Sequence, residues 1–204
     1  MTATRLTDVL RAEHLDIERA LGALEGMMKA AESGVAVPAA ALKDFVAFCR
    51  SYADGLHHQK EEELLFPALQ RAGLPRDTGP IGCMLREHDM GRDLVVRLFE
   101  VSGRFDPPDA TAVADFVRLA RLYLDLLRAH IQKENQVLFV MAEQVLGDEE
   151  NVRLLPSLRV AETRERRDRD LATLETLVAA WSREDKVAQP PDDLPSATST
   201  RTAS

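Results

Sequence analysis

The chain has 204 residues, 45% hydrophobic and 29% charged, which fits one soluble globular domain with a real core. Its formal net charge of −8 argues against a general binder of nucleic acid or anionic membrane. No apolar run approaches the roughly 20 residues that span a bilayer, and the first residues carry no signal-peptide stretch, so the expected location is the cytoplasm.

The first predicted helix is capped by Thr4 or Thr7 and carries an apolar stripe of Leu6, Leu10, Ile17, Leu21, Leu24 and Met28. His14 lies on that stripe, and Gly34 ends the helix. Pro38 suits the first turn of a second helix, whose stripe includes Leu42, Phe45, Val46, Cys49, Ala53, Leu56, Leu64, Leu65 and Leu69. Pro67 removes a hydrogen bond inside that run, so a kink or an early end is expected there. A third helix is expected over residues 81–101, carrying His88 among Met84, Leu85, Val95, Leu98 and Phe99. Gly103 and Pro107-Pro108 close it. The fourth starts near Asp109 or Thr111 and runs to about Leu146. Phe116, Leu119, Tyr123, Leu127, Val137 and Leu138 are on its expected buried side, and Gly147 stops it.

Asp148 to Leu155 fits a short helix ended by Pro156. Residues 157–183 read as a fifth helix with Leu158, Leu171, Leu174, Leu177, Val178 and Trp181 on one side. Its charged middle, residues 162–170, is expected to be a solvated face with internal ion pairs, or a surface for a protein partner. From about residue 185 the chain is rich in Pro, Ser, Thr and Ala, and disorder is expected. The two cysteines, Cys49 and Cys83, suit a reducing compartment and are spaced neither as a thiolate metal motif nor as a redox pair. Both are expected to be buried small apolar residues.

One stretch occurs twice. His57-His58-Gln59-Lys60-Glu61-Glu62-Glu63-Leu64-Leu65-Phe66 lies 73 positions before His130-Ile131-Gln132-Lys133-Glu134-Asn135-Gln136-Val137-Leu138-Phe139. Each copy puts a His and a Glu at i and i+4, on one face of a helix. Glu13-His14 and Glu87-His88 are 74 apart, so the halves match as helix with one His, then helix with His-x-x-x-Glu. The expected fold is all-α: an antiparallel four-helix bundle built from two repeated helical hairpins over residues 1–147. A C-terminal helical extension over 148–184 and a disordered tail over 185–204 would follow. The distances from His14 and His57 to their shared turn place both at one height, and His88 and His130 nearly so.

Burying Glu61 and Glu134 in such a core is costly unless a cation compensates. Imidazole plus carboxylate without thiolate suits iron, manganese or zinc. The candidate ligands are His14, His57, His58, Glu61, His88, His130 and Glu134. They exceed the roughly four that one zinc needs and point to two ions bridged by Glu61 and Glu134.

These residues resemble the hemerythrin-like, or HHE cation-binding, domains. The resemblance rests on Glu13-His14, His57-x-x-x-Glu61 with Leu65-Phe66-Pro67, Glu87-His88, and His130-x-x-x-Glu134 with Leu138-Phe139, over about residues 5–146. It implies His14, His57, His88 and His130 as terminal ligands and Glu61 and Glu134 as bridges of two non-haem iron ions, oxo- or hydroxo-bridged, with manganese or zinc as alternatives. The oxygen carriers of that family place a further His four residues after the one on the third helix. Here Arg92 stands there, and His58 is either the fifth imidazole or a rim residue. Glu62 is read as a non-ligand, and Tyr123 as core packing or as support behind the ligands.

The implied function is binding or sensing of a small diatomic ligand, O2 or NO. The alternatives are a di-iron redox enzyme acting on peroxide or NO, and iron storage or delivery. Repair-type members carry an N-terminal cysteine-containing extension that this sequence does not show, which leans toward binding or sensing. The expected partners are the small ligand or peroxide, with neither nucleic acid nor membrane. The sequence is silent on oligomeric state.

Overall fold

The computed structural model describes residues 4–105, 108–155 and 164–182. The described residues form five long helices and no sheet. The first, α1, spans Leu6–Glu32. Its start is closed by Asp8, whose carboxylate accepts the Arg5 N–H at 2.8 Å. Neither threonine caps it: Thr4 lies outside the helix, and Thr7 is buried within the first turn. Gly34, at φ 76°, follows the last turn.

The second helix, α2, covers residues 39–71 in four consecutive pieces. Ala39–Phe48 and Phe66–Arg71 are α-helical, and Cys49–His58 and Glu61–Leu65 are π-helical. Pro38 caps it from outside rather than sitting in its first turn. The helix does not end early at Pro67. The Phe66 N–H reaches back five residues to the Glu61 carbonyl. Pro67 thereby stands at the opening of the last segment, where its missing N–H costs little.

The third helix, α3, spans Gly79–Ser102 and starts earlier than expected because Pro80 fits its first turn. The fourth, α4, starts at Ala110, capped by Asp109, whose side chain accepts the Ala112 N–H at 2.6 Å. It is α-helical over Ala110–Lys133, π-helical over Glu134–Leu138, and α-helical again over Phe139–Arg153, with a break at Gly147 (φ 67°, ψ 175°). A short helix follows Gly147, as expected. The last, α5, spans Arg164–Trp181. Pro107, Pro156, Leu158, the expected start of α5 and the C-terminal tail lie outside the described residues.

Most of the expected stripe is buried, with exceptions. Val137 is 49% exposed. It sits in a π-helical turn, where a 3.6-residue period no longer predicts the facing. Phe99 is 45% exposed at the edge of its stripe, with the Arg50 guanidinium 4.7 Å from its ring centre. Leu64 is half-buried. Cys49 is buried, but Cys83 is only half-buried, its thiol 3.5 Å from Glu87 Oε1.

The core is in two clusters. The larger is built on Ile17–Ala31, Leu42–Leu56, Leu94–Val101 and Ala112–Ile131. The smaller holds Leu6, Leu10, Leu65, Phe66, Leu69, Ile81, Met84, Leu138 and Phe139. α1 and α3 run from the smaller cluster to the larger, and α2 and α4 run the other way. Between the clusters every one of these helices contributes buried polar residues: Glu13 and His14; His57, His58, Lys60 and Glu61; His88; and His130 and Glu134.

α5 lies against α1 and α2. Leu174 and Leu177 are buried there. Gly26 makes the approach possible: a Cβ on it would fall 1.8 Å from the Trp181 carbonyl oxygen. Part of the charged stretch docks instead of facing water. Arg166 donates to the Ser51 carbonyl at 2.8 Å, and Ser51 Oγ donates to Asp170 at 2.7 Å.

Candidate metal centre

Each His-x-x-x-Glu pair begins a π-helical turn at its Glu, in α2 over Glu61–Leu65 and in α4 over Glu134–Leu138. The second copy has Val140 where the first has Pro67, so the proline is not the common cause. Such turns concentrate at functional sites, where they re-aim side chains.

Four imidazoles converge on the two carboxylates. His14 Nε2 lies 3.2 Å from Glu134 Oε2, and His57 Nε2 lies 3.7 Å from Glu61 Oε1. His88 Nε2 is 3.3 Å from Glu61 Oε2 and 4.0 Å from Glu134 Oε1, and His130 Nε2 is 3.2 Å from Glu134 Oε1. His58, 5% exposed, stacks on His88 at 3.9 Å between ring centres. All seven residues singled out from the sequence are therefore brought together, in two overlapping groups. His14, His57, Glu61 and Glu134 form one, and His88, His130, Glu61 and Glu134 the other, with His58 beside the second pair of imidazoles.

The other ring nitrogens point outward to fixed partners. His57 Nδ1 is 3.1 Å from Glu13, and His130 Nδ1 is 2.9 Å from Glu87. These partners come from the preceding helix of the same half. Lys60 and Lys133 donate to the same two carboxylates. His14 Nδ1 is 3.0 Å from Asn135 Oδ1 and His88 Nδ1 is 2.7 Å from Glu62 Oε1, each across the halves. Phe139 stacks on His14 and Phe66 on His88. The repeat in sequence is thus a repeat in space.

Glu62 points at His88 Nδ1, away from the centre. Tyr123 is buried with its ring edge-on to Phe45 at 5.9 Å. Arg92, where a further His was sought, binds Asp54 at 2.8 Å and Glu62 at 2.7 Å. Sequence reasoning missed the supporting layer. Lys60 and Lys133 recur in both copies of the repeat, which was the available signal. Glu62 and Asn135 differ between the copies and gave none.

The residues fit a cation. The buried Nε2 atoms of His57, His88 and His130, both oxygens of Glu61 and Oε1 of Glu134 have no hydrogen-bond partner, and all face inward. Burial, with Glu134 beside it, pushes the Glu61 carboxyl well above the usual range. Burial acts on Glu134 too, but His130 and His14 outweigh it and hold that carboxyl well below. Burial keeps His57 and His58 neutral, the form that ligates metal. Burial also opposes the charge on His130, yet Glu134 and Glu87 push it up to about 9. With Nδ1 of His14, His57, His88 and His130 held by outer acceptors, Nε2 is the ring atom left to face a cation.

A family model for the hemerythrin HHE cation-binding domain matches residues 5–142. The chain belongs to the hemerythrin HHE cation-binding domain family. Among curated proteins, it is similar to the iron-sulfur cluster repair protein DnrN of Neisseria gonorrhoeae, 36% identical over 88 residues, covering 41% of this chain and 55% of DnrN. It is also similar to the iron-sulfur cluster repair protein YtfE of Salmonella newport, 36% identical over 89 residues, covering 42% of this chain and 40% of YtfE. The chain thus spans about half the length of these relatives, or less. No solved structure matches it. In this HHE domain, the His and Glu residues just described are the ones that carry the family resemblance, and no described helix is long and apolar enough to cross a membrane.

Proposed function

We propose that this HHE domain is an antiparallel bundle of two helical hairpins holding two non-haem iron ions, and that it binds or senses a small diatomic ligand, O2 or NO, in the cytoplasm. The observation that carries the reading is the ring of inward-facing, unpartnered Nε2 and carboxylate oxygens. His14 and His57 would serve one ion and His88, His130 and His58 the other, with Glu61 and Glu134 shared. The paired alternation of core clusters along α1 to α4 supports the hairpin arrangement. When bound, the irons would supply a vacant coordination position and a reversible redox change.

The residues around the centre suit a small ligand. A cavity of about 250 Å³ between α2, α3 and α4 ends at His58 and is walled by Cys49, Ala53, Gly91 and Val95. Of the charged residues that line it, Arg92 pairs with Asp54 and with Glu62, and Arg50 lies over the Phe99 ring. The apolar clusters above and below the polar layer keep bulk water out.

The test is the stoichiometry of ligand use. Iron-loaded, reduced protein exposed to NO or O2 should take up ligand in proportion to iron and release it on removal of the gas. Sustained consumption of NO or peroxide with an electron donor would instead support a redox enzyme. A second reading, iron supply in repair, is favoured by the similarity to proteins named for iron-sulfur cluster repair. It predicts that iron leaves the domain for an apo acceptor.

A further inference from the structure

The outward hydrogen bonds divide the site unevenly. On one side two imidazoles lean on carboxylates, His88 on Glu62 at 2.7 Å and His130 on Glu87 at 2.9 Å, while His58 Nδ1 lies 3.5 Å from Asp54 without a hydrogen bond. On the other side His57 leans on Glu13 at 3.1 Å, but His14 leans on the amide oxygen of Asn135 at 3.0 Å. Glu62 and Asn135 occupy the same place in the repeat, 73 positions apart. The halves therefore differ at the residue that touches Nδ1.

An anionic acceptor on Nδ1 makes the opposite nitrogen a better donor to a metal, and an amide does so less. Neighbouring cations do not erase the difference. Arg92 is shared by Glu62 and Asp54, and Lys133 binds Glu87. Opposite them, Lys60 binds Glu13, with Arg167 adding positive charge nearby.

We propose that Glu62 and Asn135 are positioning residues that make the two cation positions unequal. The position served by His88, His130 and His58 holds its divalent cation firmly. The one served by His14 and His57 is the weaker, exchangeable position. This inference rests on the two-cation reading above.

The experiment is titration of the metal-free full chain with Co2+, followed by calorimetry and by visible absorption of the bound ion. Two equivalents should bind in two steps separated by about 10- to 100-fold in affinity. Asn135→Asp should tighten the weaker step by about tenfold and leave the stronger one in place. Glu62→Gln should weaken the stronger step by a similar factor. Two equivalents binding in one indivisible step would overturn the inequality, as would an unchanged weaker step in Asn135→Asp. Should Glu62→Gln fail to fold, Asn135→Asp decides alone. A single equivalent in the parent chain would overturn the two-cation reading itself, and the proposal with it.

Discussion

Lys60 is 2% exposed, and its ammonium is held by Glu13, which is fully buried. Burial alone raises the Glu13 carboxyl, and Lys60 is the main group that pulls it back. Lys60→Ala would leave a buried carboxylate without that partner, so stability should fall by about 3–5 kcal/mol in urea unfolding of the metal-free protein. A loss below about 1 kcal/mol would show that the pair has no structural weight. Glu61 behaves oppositely. Its two oxygens have no hydrogen-bond partner, and the Glu134 carboxylate adds like charge nearby. Glu61→Gln should therefore leave the Tm of the metal-free protein unchanged or higher, while abolishing most of the Tm rise that metal gives the parent. An equal metal-induced rise in both proteins would argue against Glu61 as a shared ligand. Six of the seven converging residues were legible in the sequence because His and Glu recur across the repeat, and His58, which aligns with Ile131, was legible only as the neighbour of His57. Lys60 was not, because a lysine beside three glutamates reads as a solvated surface until the facing Glu13 is known.

The elements show the same division. Helix stripes and stops followed from apolar period and from Gly34 and Gly147, whose positive φ suits a residue without Cβ. The path through Pro67 did not, because widening of the helix by one residue leaves no mark in apolar pattern. Since the second copy makes the same π turn without a proline, Pro67→Ala should keep metal content at the parent level. Metal loss in that variant would make the proline a cause of the turn. The docking of α5 gives a sharper test, because Trp181 is the only tryptophan. Gly26→Ala drives a methyl into the Trp181 carbonyl, and overpacking of this kind costs about 1–3 kcal/mol. Its fluorescence should shift to the red and α5 should become sensitive to protease. In Gly22→Ala the new methyl sits 3.7 Å from Ser182 Oγ, an ordinary contact, so neither signal should move. Equal behaviour of the two variants would contradict the close α1–α5 packing.

Across the whole molecule, four helices carry one polar layer between two apolar clusters. Burying that many ionisable groups is unfavourable without compensation, and a bound cation would supply it. The layer was readable from spacing, because equal heights on helices of opposed direction follow from residue counts, and the family from the motifs that resemble it. The unequal support behind the ligands was not, since it depends on which side chains meet across halves. We propose that this layer holds two irons. The direct measurement is iron per chain in protein loaded without oxygen, together with its absorption spectrum after air, dithionite and air again. About two irons and a charge-transfer band that bleaches and returns are expected from a carboxylate-bridged pair. One cation or none, with a spectrum indifferent to reduction, would contradict it and leave a structural cation site in a helical bundle.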